Sequence, residues 1–384
     1  MLVFALLGCT EHRSVERVEP TFIYVSLAEG TETGTAEEPL EFTSEPVEIP
    51  IEVQLQNLDG DPYLDFDGDL TLNVRPGDLE GDPRISLQGA TWSGTVSIKN
   101  GFGATRVWVS DLGDKDQDSG RAPSHATGVS PAVHYKLPTL AQMNNAGDHE
   151  TNNLDKEFAR IRSEDRDIRV TTVGAAGFWV TDMAEDQDPE TGVRPYAHLF
   201  VYTFSKPDDE VVEGAKVTFL QGNNQEYLAT SQLSFPSYEI DETAGTLIPD
   251  PVTIDFDALC DDNEALEAYE SAIVRLEDVK IPSTFTAGTE DYEDYLEYGQ
   301  YPLSNGGDCT FYAESSVTVP TFYPTEHVGE DVAYIQGTLS EIWGKWILNV
   351  RDAEDLPEDL RPSETEQAAR SGSAPIRPVP RPRP

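Results

Sequence analysis

The chain has 384 residues and is strongly acidic, with 71 Asp and Glu against 26 Lys and Arg and a formal net charge of −45. This length accommodates two or three domains, each with its own core. The charge repels phosphate backbones and anionic headgroups, so direct binding to nucleic acid is disfavoured and bound cations are favoured. Acidity of this kind is also a common way of keeping an exported surface soluble.

The N-terminus is an apolar run that closes with Leu6-Leu7-Gly8-Cys9. These residues resemble the lipobox of exported bacterial lipoproteins. The resemblance implies cleavage before Cys9, a diacylglyceryl group on its thiol and a third acyl chain on its amine, which together make a stable anchor. Thr10 is not the Asp that retains such proteins at the inner membrane, so the resemblance implies the outer membrane, with the leaflet left open.

The apolar run is shorter than a usual signal, and no Lys or Arg precedes it. We therefore expect translation to start upstream of Met1. No later stretch is apolar over the roughly 20 residues that a membrane-crossing helix needs. The lipid is thus the one membrane contact that the sequence predicts.

Two cysteines, Cys260 and Cys309, remain after the lipidated one. In an exported chain such a pair indicates a disulfide. It would close a loop of about 50 residues and stabilise the fold by roughly 4 kcal/mol. Neither cysteine has a Cys or His nearby at metal-ligand spacing, which disfavours a metal site.

The composition predicts an all-β chain, because Thr, Val, Tyr and Phe recur in short runs broken by Gly, Pro, Asp and Asn. Short helices are expected only around residues 154–162 and 263–269. After a polar tether at 10–20, alternating segments at 47–55, 70–74, 94–98 and 105–109 predict a β-sandwich over 21–111. This region resembles the immunoglobulin-like domains of bacterial surface proteins. Residues 112–164 are a polar connecting segment.

An internal repeat marks the second half of the chain. Residues 214–222 read Gly-Ala-Lys-Val-Thr-Phe-Leu-Gln-Gly, and residues 329–337 read Gly-Glu-Asp-Val-Ala-Tyr-Ile-Gln-Gly. A Glu and a Leu follow each copy at the same offset, Glu226 with Leu233 and Glu341 with Leu348. The repeat predicts a turn glycine, a strand, and a second glycine at which the strand bends or bulges.

A family resemblance surrounds this repeat. Gly177-Phe178-Trp179-Val180-Thr181-Asp182, the strand at 199–203, the repeat strand, and Thr230-Ser231-Gln232-Leu233 resemble the OB-fold modules of secreted bacterial nucleases and of exported lipoproteins. The Glu-rich stretch at 266–270 and the closing segment at 349–356 fit the same family. The resemblance implies two OB-like barrels, at 165–250 and 251–356. The resemblance supports a fold and not an activity, because the catalytic residues of the nucleases lie in a separate domain.

Residues 357–384 are rich in Pro and Arg. Such a composition predicts a disordered, polyproline-like tail that acts as a spacer; the alternative is a tail that binds peptidoglycan-associated acids or a partner.

Motifs for catalysis are missing from the sequence. It contains no His-Glu-x-x-His, no Gly-x-Ser-x-Gly and no glycine-rich phosphate loop, so we predict a protein that is not an enzyme. The alternative is a metal-dependent hydrolase or an accessory subunit of a hydrolase. Its site would lie in the 125–153 loop, from the following residues: His125, His134, Asp148, His149, Glu150, Asn152 and Asn153.

Two acidic clusters are candidate calcium sites, because carboxylates at alternate positions of a turn can converge on one hard cation. The first contains Asp59, Asp61, Asp65, Asp67 and Asp69, and the second contains Asp111, Asp114, Asp116 and Asp118. The second has the 1, 3, 5 spacing of an EF-hand loop. Ser119 at position 6 and His125 at position 12 exclude a regular EF-hand. Solvated acidic loops are the alternative for both clusters.

Aromatic residues of the two barrels are the candidates for a ligand face, because OB-type barrels bind ligands on aromatic platforms. The candidates are Phe178, Trp179, Tyr202, Trp343 and Trp346. Strand alternation places Phe178 and Trp179 on opposite faces, so one of the two is expected in the core.

These features predict a lipid-anchored, non-catalytic protein of the cell envelope with a binding or structural role. Calcium is a candidate stiffening ion, and the partner is an unknown protein or glycan. Nucleic-acid binding by the barrels is a third hypothesis, which would need a local basic stripe.

Overall fold

The computed structural model describes residues 21–64, 66, 68–113, 125–145, 149–155, 157–162, 166–259, 262–307 and 309–362. The chain is all-β, with 43% strand and 10% helix, which confirms the predicted class. It forms two compact units, Met1–Tyr135 and Lys136–Pro384. Within the described residues, no helix has the length and apolar character needed to cross a membrane.

The first unit consists of two sheets. Its strands are β1 (Phe22–Leu27), β2 (Val47–Gln56), β3 (Gly68–Arg75), β4 (Asp78–Glu80), β5 (Arg84–Leu87), β6 (Thr91–Lys99), β7 (Gly103–Ser110), β8 (Gly128–Val129) and β9 (Val133–Tyr135). One sheet has the order β1-β2-β6-β4, and the other has the order β5-β3-β7-β8, with β9 also on β7. Both sheets contribute to one hydrophobic core. The unit extends past residue 111, because β8 and β9 pair with β7.

Alternation along β2 shows why this sequence forms a half-buried strand. Ile49, Ile51, Val53 and Leu55 are all buried, while the residues between them are more exposed. A period of two matches the pleat of a strand, so one face joins the core and the other meets solvent. The strands predicted at 47–55, 70–74, 94–98 and 105–109 correspond to β2, β3, β6 and β7.

The second unit begins with a short helix, followed by the first barrel. The elements are α1 (Leu140–Asn144), β10 (Phe158–Arg162), β11 (Ile168–Val173), β12 (Gly177–Asp182), β13 (His198–Tyr202), β14 (Lys216–Glu226) and β15 (Ser231–Asp241). The helix predicted at 154–162 is wrong, because β10 pairs antiparallel with β14 there. Ala159 and Ile161 are buried and Phe158 is exposed, so the segment has the period of a strand.

Five of these strands close into a barrel. Strand β11 pairs with β12 and β14, β13 pairs antiparallel with β12 and parallel with β15, and β14–β15 pairing completes the ring. The inward residues Phe178, Val180, Leu199 and Val201 are fully buried. Burial of large apolar side chains at alternate positions stabilises the ring against opening.

The second barrel repeats this order. Its elements are β16 (Val252–Thr253), α2 (Phe256–Leu259), α3 (Asn263–Glu267), β17 (Ile273–Lys280), α4 (Glu290–Tyr298), β18 (Gln300–Leu303), β19 (Phe311–Glu314), β20 (Asp331–Ile342) and β21 (Lys345–Asn349). The sheet order is β16-β17-β20-β21-β19-β18, with β19 and β21 parallel. Reciprocal backbone hydrogen bonds of 2.7 and 3.0 Å between Lys280 and Ser304 join the end of β17 to the residue after β18.

The C-terminal core extends beyond β21, and Leu356 and Leu360 pack in it or against it. Ordered structure therefore reaches into the segment predicted as a tail. The helix predicted at 263–269 is confirmed as α3. Cys309 packs against the same core. Cys260 lies outside the described residues, and its disulfide with Cys309 remains a prediction.

The repeat glycines stand where two strands approach closely. The register of β14 against β15 shifts between Gln221 and Asn223, which confirms the predicted bulge at Gly222. A Cβ at Gly222 would lie 2.8 Å from the carbonyl oxygen of Ser234, and one at Gly337 would lie 2.5 Å from that of Asn349. No other residue type fits such a contact without a shift of the partner strand.

The two repeat hairpins share one turn type. Leu228 and Ala229 have φ of 59° and 62°, and Trp343 and Gly344 have φ of 55° and 73°. Positive φ at both central residues is the signature of a type I′ turn. Only the second hairpin carries glycine at the second position, so Ala229 holds a conformation that costs free energy in an L-residue.

Replacing Ala229 by Gly is expected to raise the free energy of unfolding by about 0.5–1 kcal/mol, because Gly adopts the left-handed region without a Cβ clash. Urea unfolding measures the change. Ala265→Gly in α3 is the control, and it should destabilise by about 1 kcal/mol, since Gly weakens a helix. A loss of stability in Ala229→Gly would contradict the turn assignment.

Candidate ligand face

The acidic clusters are only partly within the described structure, and five members lie outside it: Asp65, Asp67, Asp114, Asp116 and Asp118. Of the others, Asp69 accepts a hydrogen bond from Ser86. Asp111 is buried and accepts one from the backbone of Gly113 at 2.9 Å. Among the residues that the structure describes, no group of three or more His, Cys, Asp or Glu is arranged to hold a metal ion. Calcium remains a prediction.

The histidines proposed for a hydrolase site belong to different units, His125 and His134 to the first and His149 to the second. The Nδ1 atom of His149 lies 3.0 Å from Oε2 of Glu341. Burial lowers the pKa of His149, but the hydrogen bond and charge of Glu341, with Glu264 and Glu150, outweigh burial and raise it. Asp148, like the lipidation residue Cys9, lies outside the described residues.

Two of the five predicted ligand-face aromatics are core residues. Phe178 is fully buried, and Trp346 is 4% exposed with its Nε1 donating to Asn263 at 3.0 Å. The prediction that Phe178 and Trp346 belong to a ligand face is wrong, because each side chain lies on the buried side of its strand. Trp343 is 45% exposed in the β20–β21 turn. Trp179, as alternation predicted, lies on the opposite face from Phe178.

A continuous row of aromatic side chains crosses the outside of the first barrel. We call it the aromatic stripe, and its members are Trp179, Phe200, Tyr202, Phe204 and Phe235. Successive ring centroids lie 4.5, 6.0, 4.4 and 4.7 Å apart. Exposure rises along the row, from half-buried Trp179 to Phe204 at 51% and Phe235 at 71%.

Strand pairing explains why these rings meet. Trp179 on β12 is directly opposite Phe200 on β13, and Tyr202 is opposite Ser234, the residue before Phe235 on β15. Phe200 and Tyr202 occupy alternate positions of β13, so they share one face. Phe204 lies in the bend after β13, and its ring packs against that of Tyr202. The stripe therefore runs across three neighbouring strands.

Two glycines make room for the stripe. A Cβ at Gly174 would lie 3.0 Å from the indole of Trp179, and one at Gly177 would lie 2.7 Å from the ring of Phe200. Phe204 and Phe235 adopt φ of 63° and 51°. Such values are uncommon for bulky residues and are often found at functional sites.

The exposed end of the stripe borders a groove of about 460 Å³ with mixed polar walls. Its lining includes the hydroxyl residues Thr203, Ser205, Ser237 and Tyr238. The Tyr238 hydroxyl donates to Asp208 Oδ2 at 3.1 Å. Burial raises the pKa of Tyr238, and the charges of Asp208 and Glu210 act in the same direction. The tyrosine therefore keeps its proton at ordinary pH.

The groove is not basic. Among the described residues that line it, Lys206 is the one cation, and Asp208 and Glu210 are both acidic. Lys206 itself lies 3.5 Å from the carboxylate of Asp209. Phosphate binding relies on clustered Lys and Arg, so the chemistry of this groove disfavours a phosphate-bearing ligand.

Sequence reasoning identified Trp179 and Tyr202 but missed Phe200, Phe204 and Phe235. The alternation of aromatics at 200, 202 and 204 was a usable signal. No pattern in the sequence indicated Phe235, because its position beside Tyr202 depends on the parallel pairing of β13 with β15. The chain matches no protein-family model and no curated protein sequence.

Proposed function

We propose that the protein is a non-catalytic binding protein of the bacterial cell envelope that holds a neutral oligosaccharide on the aromatic stripe. The observation that carries this proposal is the unbroken row of five rings ending in the groove of Asp208 and Tyr238. Sugar rings offer C–H faces that pack on aromatic rings, and hydroxyls that pair with carboxylates and phenols.

The spacing of the rings supports an extended ligand. Five rings in series present repeated stacking positions, and the groove beside Phe204 and Phe235 supplies both donors and acceptors. A site with an apolar platform and a few directed polar groups is the usual form of a small-molecule site. An oligomer of similar units fits a row better than a single compact ligand.

Charge supports a sugar over a nucleic acid. Bases also stack on aromatic platforms, but each nucleotide brings a phosphate that the acidic groove and the net charge of −45 repel. A neutral glycan has aromatic-stacking faces without that penalty.

Fold details complete the proposal. The cyclic order β11-β12-β13-β15-β14, with β13 and β15 parallel, supports an OB-like assignment for the first barrel, and the matching order supports it for the second. The two sheets on one core support an immunoglobulin-like first unit. Lipidation at Cys9, a Cys260–Cys309 disulfide and calcium in the acidic clusters belong to the same proposal, as does the outer membrane.

Isothermal titration of the chain with cellohexaose and with the N-acetylglucosamine hexamer tests the function. Removing the Phe235 ring takes away apolar contact area with the sugar, at about 25 cal/mol per Å², so Phe235→Ala is expected to weaken binding about tenfold. Phe158→Ala is the matched control, because Phe158 is 55% exposed on β10, outside the stripe.

Equal affinity of Phe235→Ala and Phe158→Ala for a bound hexamer would remove the stripe as the site. Absence of heat with both hexamers would contradict the glycan assignment. Tighter binding of a twelve-nucleotide oligo-dT than of either hexamer would replace it with nucleic-acid binding.

A further inference from the structure

The two repeat hairpins contact each other within the second unit. The backbone N–H of Trp343 donates to the carbonyl of Leu228 at 3.3 Å, and the Thr230 hydroxyl donates to the carbonyl of Glu341. The backbone N–H of Ser271, beside this contact, donates to Leu339 at 2.8 Å. We call the contact of residues 226–231 with residues 339–345, together with Glu270 and Ser271, the hairpin junction.

Carboxylates from both barrels meet at one serine of the junction. The Ser231 hydroxyl donates to Glu226 Oε2 at 2.7 Å, and the Ser231 backbone N–H donates to Glu270 Oε2 at 3.0 Å. Glu270 is 4% exposed, and its Oε1 has no hydrogen-bond partner among the described residues. A buried oxygen without a donor disfavours the charged form of that carboxyl.

Further acids surround this pair. Asp155 and Glu341 face Glu226, together with the amide of Asn152. Glu267, itself 5% exposed, and Glu341 face Glu270.

A histidine at the junction is hydrogen-bonded to a different acid. His149 binds Glu341, which Glu150 and Glu264 also face. In the part of the chain that the structure describes, no Lys or Arg forms an ion pair with Glu226 or Glu270. Like charges would therefore repel across the junction if both carboxyls were ionised.

The electrostatics agree with this geometry. Burial raises the pKa of Glu226 to about 7, and nearby Asp155 and Glu341 act in the same direction. Burial also raises the pKa of Glu270 well above its usual range, with Glu267 and Glu226 adding to it. The pKa of each carboxyl is higher in the folded protein than in the unfolded chain. The stability that the two carboxyls contribute is therefore fully present below the ordinary glutamate pKa. It is lost as pH rises through about 7, the folded pKa of Glu226.

We propose that the hairpin junction is a proton-operated latch between the two barrels. With Glu226 and Glu270 protonated, Ser231 of the first hairpin keeps its hydrogen bonds to both carboxyls, and the two hairpins stay in contact. Ionisation of the two carboxyls places unpaired charges in a buried contact and separates the hairpins. The repeat itself builds the latch, since Glu226 and Glu341 occupy equivalent positions in the two hairpins. The barrels are thus coupled at mildly acidic pH and uncoupled at alkaline pH.

Amide hydrogen exchange of the full chain at pH 6.0 and 8.5, with labelling times scaled for the intrinsic rate, tests the latch. Peptides covering 226–231 and 339–345 are expected to lose protection at least tenfold at pH 8.5, while peptides of β12 and β13 stay unchanged. The double variant Glu226→Gln, Glu270→Gln should keep the hairpins protected at both pH values.

The matched control is Glu239→Gln, Glu277→Gln, which removes one exposed carboxylate from each barrel and should behave as the parent does. The single variant Glu226→Gln should reduce the loss of protection between pH 6.0 and 8.5 by at least half. It replaces the double variant in the test if the double variant does not fold. Protection that is independent of pH in the parent, or equal loss in parent and Gln variants, would overturn the proposal.

Discussion

Replacement of Asp355 by Ala is expected to lower the free energy of unfolding by about 3–5 kcal/mol, because it leaves a largely buried guanidinium without its partner. The Asp355 side chain is fully buried and binds Arg351 through both oxygens, at 2.7 and 2.9 Å. It also accepts from the Arg351 backbone at 2.8 Å and from Gln336 at 2.7 Å. One carboxylate therefore ties the segment after β21 to β20.

The charge of Arg351 depends on this partner. Burial lowers the pKa of its guanidinium, but the hydrogen bonds and charge of Asp355 outweigh burial and raise it. The arginine stays ionised in the variant and loses its bidentate carboxylate, and the charges of Glu213 and Asp352 still act on it. Bidentate pairing of this kind is among the stronger hydrogen-bonded contacts in proteins.

Urea unfolding followed by tryptophan fluorescence measures the effect. Asp359→Ala is the control, since Asp359 is exposed in the following turn, and it should change stability by less than about 0.5 kcal/mol. A loss below about 1 kcal/mol in Asp355→Ala would show that the network does not hold the second barrel together.

The second large effect is expected at Phe178, where substitution by Ala should cost about 3–5 kcal/mol through lost burial and a residual cavity. Phe178 is fully buried, and its ring meets Tyr238 edge to face at 5.1 Å. Trp179, the next residue, packs on the outer face against Phe200 at 4.5 Å. Its replacement by Ala should cost less stability and should remove ligand binding instead.

Thermal or urea unfolding of the two single variants separates these roles. The expected order is a large loss in Phe178→Ala and a clearly smaller loss in Trp179→Ala. If Trp179→Ala were the more destabilised of the two, Trp179 would be a core residue and the stripe would be structural.

Much of the fold of the second unit was predictable, because the internal repeat marks equivalent strands in its two barrels. The constant offset between Gly222 and Gly337 marked equivalent strands, and both positions proved to be close approaches that only glycine allows. Alternation at residues 47–55 likewise predicted β2. Short-range patterns succeed where the pleat itself dictates the spacing of buried residues.

Predictions failed where contacts join distant segments. The segment 154–162 has several helix-forming residues, but its pairing with β14 makes it a strand, which is a tertiary effect. The junction of Glu226 with Glu270 depends on how two hairpins meet. The equivalence of Glu226 and Glu341 was visible in the sequence, but not that both would be drawn into one buried cluster.

The indole ¹⁵N–¹H resonances of the five tryptophans test the central claim most directly, in a titration of the chain with cellohexaose and the N-acetylglucosamine hexamer. The account predicts that saturation with a bound hexamer shifts the Trp179 signal, assigned through Trp179→Phe. It also predicts that the signals of Trp92 and Trp108 in the first unit stay in place. A bound hexamer that leaves Trp179 unmoved, or moves another tryptophan in its stead, would contradict the aromatic stripe as the ligand face.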